Sequence, residues 1–175
     1  MSRSALFYRI LLGFLAMLAL TYAFSMALYR PVILVEKAAV ERFYQALGID
    51  VVDSGWNALT LVSPSYESLT IVLTSECLGI YLTLVYCVLV LLTPGISARD
   101  ALRGIAVGVP LLFVANLLRI AVSGIVGVEL GPIAFYVVHN LVGSGLMMLL
   151  LVALWVDWIY RTLRRDQRCR GAALS

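Results

Sequence analysis

Four runs of apolar residues decide what this chain can fold into. Ile10–Tyr29 and Cys77–Ala98 carry no charge, Gly104–Val128 has Arg119 as its one charged residue, and Leu130–Val156 has no Asp, Glu, Lys or Arg and a single histidine, His139. A helix crossing the roughly 30 Å hydrocarbon core of a bilayer needs about 20 apolar residues. Within that core, only helices and closed barrels satisfy their own backbone. The pattern predicts an all-α membrane protein, a bundle of four transmembrane helices spanning about 8–29, 77–96, 104–127 and 134–157 in one domain, 1–175. The first run lacks a small-residue cleavage site and reads as an anchor rather than a signal peptide.

Composition excludes other classes. Charged residues make up 13% of the chain and hydrophobic ones 62%, against about 25% charge in a soluble domain. There is no Gly-rich phosphate loop, and a formal charge of +3 without a clustered basic face argues against nucleic acid as a partner.

Cytoplasmic segments retain Lys and Arg. Arg3 and Arg9 precede the first run, Arg99 and Arg103 separate the second and third, and Arg161, Arg164, Arg165, Arg168 and Arg170 follow the fourth. The other side pairs Arg30, Lys37 and Arg42 with Glu36, Glu41, Asp50, Asp53, Glu67, Glu76 and Glu129. This bias predicts a multi-pass protein of the cell membrane, with both termini and the tail 158–175 cytoplasmic and an extracytoplasmic loop at 30–76. In that loop, Pro31 is expected to end the first span. Ala39, Val40, Phe43 and Leu47 then predict a small amphipathic extracytoplasmic helix stopped by Gly48. Two alternating segments, WNALTLV and SLTIVLT around SPSYE, predict a β-hairpin between spans 1 and 2.

Three chemically capable residues fall at one depth. Arg119 is costly, at about 2.5–3.5 kcal/mol on insertion scales. Fifteen residues beyond Gly104, it lies about 22 Å into its span, near the extracytoplasmic face. Cys77 opens the second span from that face and His139 lies near the start of the fourth. A thiol is a strong nucleophile as the thiolate, which a nearby imidazole or cation favours. Cys77 would attack a carbonyl and form a thioester. His139 would take the thiol proton and return it to a leaving amine, while Arg119 would hold the oxyanion or a substrate carboxylate. Singly, each residue is more simply a packing thiol, a hydrogen-bonded helix contact and a snorkelling anchor; their shared depth favours a site.

Asn116 and Ser123 flank Arg119 on its helix face and are candidate partners for its guanidinium. Glu76, next to Cys77, is a weaker candidate to orient His139 or pair with Arg119. Cys87, ten residues beyond Cys77, lies about 15 Å deeper if the segment is helical, too far for a disulfide. It reads as packing, and Cys169 as part of a solvated tail. Gly143 and Gly145 are expected to allow close helix packing, and Tyr81 is read chiefly as packing. One histidine and dispersed cysteines make no conventional zinc site, so no metal or organic cofactor is expected.

In order and topology, SECLGIY at the head of one span, NLLRI within the next and HN at the head of the last resemble the exosortase/archaeosortase family of membrane cysteine transpeptidases, over roughly Glu76 to Tyr160. The resemblance implies that Cys77 is the nucleophile, Arg119 the family arginine and His139 the third catalytic position. The chain would be a short, four-span form, with Leu78 where relatives often carry a small hydroxyl residue. It further implies substrates that are secreted proteins with a C-terminal sorting signal of motif, membrane helix and basic cluster. These would be cleaved and passed to a lipid or envelope acceptor, or to water. The alternative is a noncatalytic membrane subunit or small transporter whose Arg119 binds an anion or lipid headgroup.

Overall fold

The computed structural model describes residues 3–62, 68–74, 77, 79–94 and 96–172. Helix α1 (Arg3–Ala46) runs for 44 residues and passes through Pro31 unbroken. Proline removes one helix hydrogen bond, yet the helix continues because the residues beyond it have a tertiary partner. Ile33, Glu36, Lys37, Val40 and Tyr44 recur at spacings of three and four and form one buried stripe. The separate extracytoplasmic helix expected from the sequence is thus the far end of α1. Its inward face also differs: Val40 is buried, but Phe43 and Leu47 point outward. Near a bilayer an apolar face needs no protein partner, so the stripe carrying polar groups is the one turned inward.

A three-stranded antiparallel sheet follows, β1 (Val51–Gly55), β2 (Ala58–Leu61) and β3 (Leu69–Val72), in that order. Two strands were expected, and Val51–Gly55 adds a third. The turn residues 63–67 lie outside the described residues. Leu59, Leu61, Leu69 and Ile71 alternate onto the buried face, while Thr60 and Thr70 share a hydrogen bond of 2.9 Å on the other. Lys37 clamps this sheet to α1 through an ion pair of 2.6 Å with Asp53 and a hydrogen bond donated to the Gly55 carbonyl.

Helix α2 (Ile80–Leu92) has 13 residues, about 20 Å, and is shorter than the 77–96 expected. Cys77 belongs instead to a turn, where its N–H donates to the Thr74 carbonyl at 3.0 Å. At the far end Thr93 leaves the helix with extended backbone, ahead of Pro94. Helix α3 (Ala98–Leu130) starts at Ser97, whose hydroxyl caps the Asp100 amide at 3.2 Å. Gly131, at φ 90°, turns the chain into α4 (Pro132–Tyr136). A π-helical stretch (Val137–Gly143) then leads into α5 (Ser144–Ala172). Among the described residues, Ala98–Leu130 and Pro132–Arg165 are the helices long and apolar enough to cross a membrane. The protein is a predominantly helical membrane protein.

Two clusters of buried residues hold the fold. One joins the sheet to α1 and α3 through Ile33, Tyr44, Leu59, Leu73 and Ile120; the other joins α2, α3 and α5 through Tyr86, Leu112, Met147 and Leu151. Tyr44 locks the first, donating to the Ile120 and Ala121 carbonyls at 3.1 Å each. Gly124 makes this approach possible, because a Cβ there would collide with the Tyr44 hydroxyl.

Gly124→Ala should therefore lower the unfolding temperature in detergent, and less so in a Tyr44→Phe background, since the two residues share one contact. At Gly145 a Cβ meets nothing within 4 Å, so Gly145→Ala should be neutral or stabilising. The clamp predicts an acid effect. The Lys37 ammonium holds the Asp53 carboxyl below the usual carboxylate range. The lower value belongs to the folded state, so the clamp contributes fully above the ordinary aspartate pKa and is lost as pH falls through the folded one. Unfolding midpoints of wild type and Asp53→Asn should converge on acidification.

Candidate active site

Helix spacing puts Asn116, Arg119 and Ser123 on one face of α3, and the π-helical stretch turns His139 toward that face. A π-helical turn releases carbonyls from the regular i→i+4 pattern. Here the His139 carbonyl accepts from Arg119 Nε at 3.2 Å. A second guanidinium nitrogen lies 3.2 Å from His139 Nε2, and the third donates to Asn116 Oδ1 at 3.4 Å. A guanidinium only donates, so Nε2 accepts and the imidazole proton belongs on Nδ1, a buried atom without a hydrogen-bond partner. Phe135 fixes the ring, stacked 5.2 Å away and within 7° of parallel.

Room for the arginine stem comes from Gly143, where a Cβ would lie 2.9 Å from Arg119 Cγ and 3.1 Å from Cδ. Asn116 is fully buried and carries the network to the other helices. Its amide nitrogen donates to the Cys77 carbonyl at 3.0 Å and to Glu36 Oε1 at 3.1 Å. Gly79 lets this amide reach the turn: a Cβ there would stand 3.0 Å from that of Asn116. The half-buried Cys77 Sγ lies 3.5 Å from Thr74 Oγ1 and 3.9 Å from the Val72 carbonyl.

Cys77, Asn116, Arg119 and His139 thus belong to one connected network drawn from the turn before α2, from α3 and from the π-helical stretch. Among the described residues no hydrogen bond joins Sγ to His139; the two residues are linked from the Cys77 backbone carbonyl through Asn116 and Arg119. Ser123 departs from expectation: its hydroxyl donates to the Arg119 backbone carbonyl at 2.6 Å instead of accepting from the guanidinium, because a serine on a helix reaches the carbonyl four residues back more readily than a neighbouring side chain. Glu76 lies outside the described residues. Tyr81 points outward and Cys87 is half-buried. No group of His, Cys, Asp and Glu that could hold a metal ion occurs among the described residues.

An apolar groove of about 420 Å³ opens beside Arg119 between α3 and α5, lined among others by Leu118, Val122, Val142 and Leu146. Sequence reasoning missed Glu36, which it counted among loop carboxylates. Its signal was present: Glu36 falls on the stripe of Ile33, Val40 and Tyr44 at helical spacing.

The family model for transmembrane exosortases matches residues 2–156. The chain belongs to the transmembrane exosortase family. The match reaches back well before Glu76, where the resemblance read from the sequence began, and so takes in α1, Glu36 and the sheet of this exosortase. No curated protein and no solved structure matches the chain. Family membership gives it a membrane-bound, transpeptidase-like role in general terms.

Gly143→Ala should push Arg119 off its three acceptors. Processing by the exosortase should fall by about a hundredfold, the scale of a 1 Å misplacement at a reacting centre, and its unfolding temperature should fall as well, because a buried guanidinium loses acceptors, but not to the temperature of the assay. An activity assay beside a thermal melt separates the two effects.

Proposed function

We propose that this exosortase is a membrane cysteine transpeptidase that cleaves the C-terminal sorting signal of secreted proteins and transfers them, through a thioester, to a lipid or envelope acceptor. The single observation that carries this reading is the hydrogen-bonded path from the Cys77 backbone carbonyl through Asn116 and Arg119 to His139. It gathers a nucleophile, a fixed cation and an imidazole from three separate parts of the chain. A four-span topology with both termini cytoplasmic accompanies it, as the basic residues imply.

In the resting arrangement Arg119 occupies His139 Nε2. Entry of a peptide carbonyl draws the guanidinium onto the carbonyl oxygen and frees that nitrogen to accept the Cys77 proton. Sulfur then bonds to the carbonyl carbon and the negative charge moves to oxygen, where Arg119 meets it. As the C–N bond breaks, the imidazolium returns its proton to the departing amine, leaving an acyl-thioester on Cys77. An acceptor nucleophile attacks this carbonyl and passes its own proton to His139, which hands it to the departing sulfur and so restores the thiol and the neutral imidazole. The apolar groove beside Arg119 suits the membrane helix of the sorting signal, since it leads an apolar segment past the reacting level without burying a charge.

Cys77→Ser and Cys77→Ala should each abolish processing of a tagged substrate, and mass spectrometry should find a thioester-linked adduct on wild type alone. Retained processing in Cys77→Ala, together with its loss in Arg119→Ala, would instead support anion or lipid-headgroup binding by Arg119. A product ending in a free acid, with no attached acceptor, would identify hydrolysis in place of transfer.

A further inference from the structure

Glu36 is fully buried, and one of its carboxyl oxygens, Oε2, has no hydrogen-bond partner. A buried carboxyl with one oxygen unused is costly, so its place on the inner face of α1 calls for an account. Its other oxygen accepts from the Asn116 amide, whose second hydrogen goes to the Cys77 carbonyl and whose oxygen takes the Arg119 guanidinium. All three polar contacts of Asn116 depend on which way the amide faces. Turned over, it would set NH2 against a guanidinium that can only donate, and oxygen against the Cys77 carbonyl. Cys77 and Arg119 alone do not make that orientation rigid, because the Arg119 contact is long, at 3.4 Å. The Glu36 contact is shorter than the one to Arg119, at 3.1 Å, and comes from a different helix, α1.

We propose that Glu36 is a positioning residue of the Cys77 site, acting through Asn116: its accepting oxygen sets the amide that holds the Cys77 turn and Arg119 at a fixed separation. The required property is an acceptor at this position, not a negative charge. The inference rests on the reading of Cys77 as the reacting thiol, and its test reads the thiol itself rather than turnover.

The measurement is the second-order rate of Cys77 alkylation by iodoacetamide at fixed pH, on full-length protein in detergent with Cys87 and Cys169 replaced by Ala. Glu36→Ala and Asn116→Ala should each slow alkylation at least threefold, as the thiol loses its fixed place near Arg119. Glu36→Gln, which keeps the acceptor, should stay within about 1.5-fold of wild type, small beside the tenfold that 1.4 kcal/mol represents. The double variant Glu36→Ala/Asn116→Ala should be no slower than either single one, because both cut the same path. Multiplying effects in the double variant, a Gln variant as slow as Ala, or alkylation unchanged or faster in Glu36→Ala would each overturn the proposal. A thermal melt of each variant identifies any that is merely unfolded, and Glu36→Gln supplies the comparison if Glu36→Ala does not fold. Should Cys77→Ala retain processing, the nucleophile reading fails while these alkylation rates still report on Glu36.

Discussion

The structure depends on keeping one guanidinium inside a helical membrane bundle. Arg119 carries a charge that hydrocarbon opposes, and the fold answers with acceptors rather than with a counter-charge in contact: the His139 carbonyl, the His139 ring nitrogen and the Asn116 oxygen. Much of the local architecture follows from that need. The π-helical stretch frees a carbonyl, Gly143 leaves space for the arginine stem, and Asn116 is turned so that its oxygen faces the charge. A regular α-helix through residues 137–143, carrying an alanine at position 143, would leave the guanidinium without two of its acceptors and without room.

The same network links elements that are also packed together by apolar side chains. α1 reaches it through Glu36, the turn before α2 through the Cys77 carbonyl, α3 through Asn116 and Arg119, and the last membrane helix through His139. Two packed clusters accompany it, one gathering the sheet with α1 and α3 and touching Cys77, the other gathering α2, α3 and α5. Polar contacts inside a bilayer are worth only about 0.6–2 kcal/mol each, so the apolar clusters do most to hold the helices together. The polar layer decides how they are registered. Glycines serve that registration where a side chain from one helix crosses another, as Tyr44 does at Gly124 and Arg119 at Gly143.

The carboxyl of Glu36 and the ring nitrogen Nδ1 of His139 are buried with unused hydrogen-bonding capacity. Groups of this kind are expensive in any interior, and both border the path to Cys77. In the proposed reaction each step of acyl transfer moves a proton. Unused polar capacity beside the path is consistent with a site complete only when substrate occupies it.

Hydrophobic pattern alone determined that the chain enters a membrane as helices, because runs of uncharged residues have few other stable states there. The cost of polar groups in hydrocarbon marked Arg119 and His139, and depth counted along the helices put Cys77 at their level, while whether the three meet was left to packing. The extent of α1 was decided by tertiary structure: Pro31 signals a stop, but packing of Ile33, Val40 and Tyr44 carries the helix past it. Which face of that helix turns inward was also hidden, since amphipathicity assumes water on the outside and lipid reverses the preference. Neither the π-helical stretch nor the role of Glu36 could be read from local sequence. Both arise from hydrogen bonds between residues 20 and 80 positions apart, and no local periodicity records a partner at that distance.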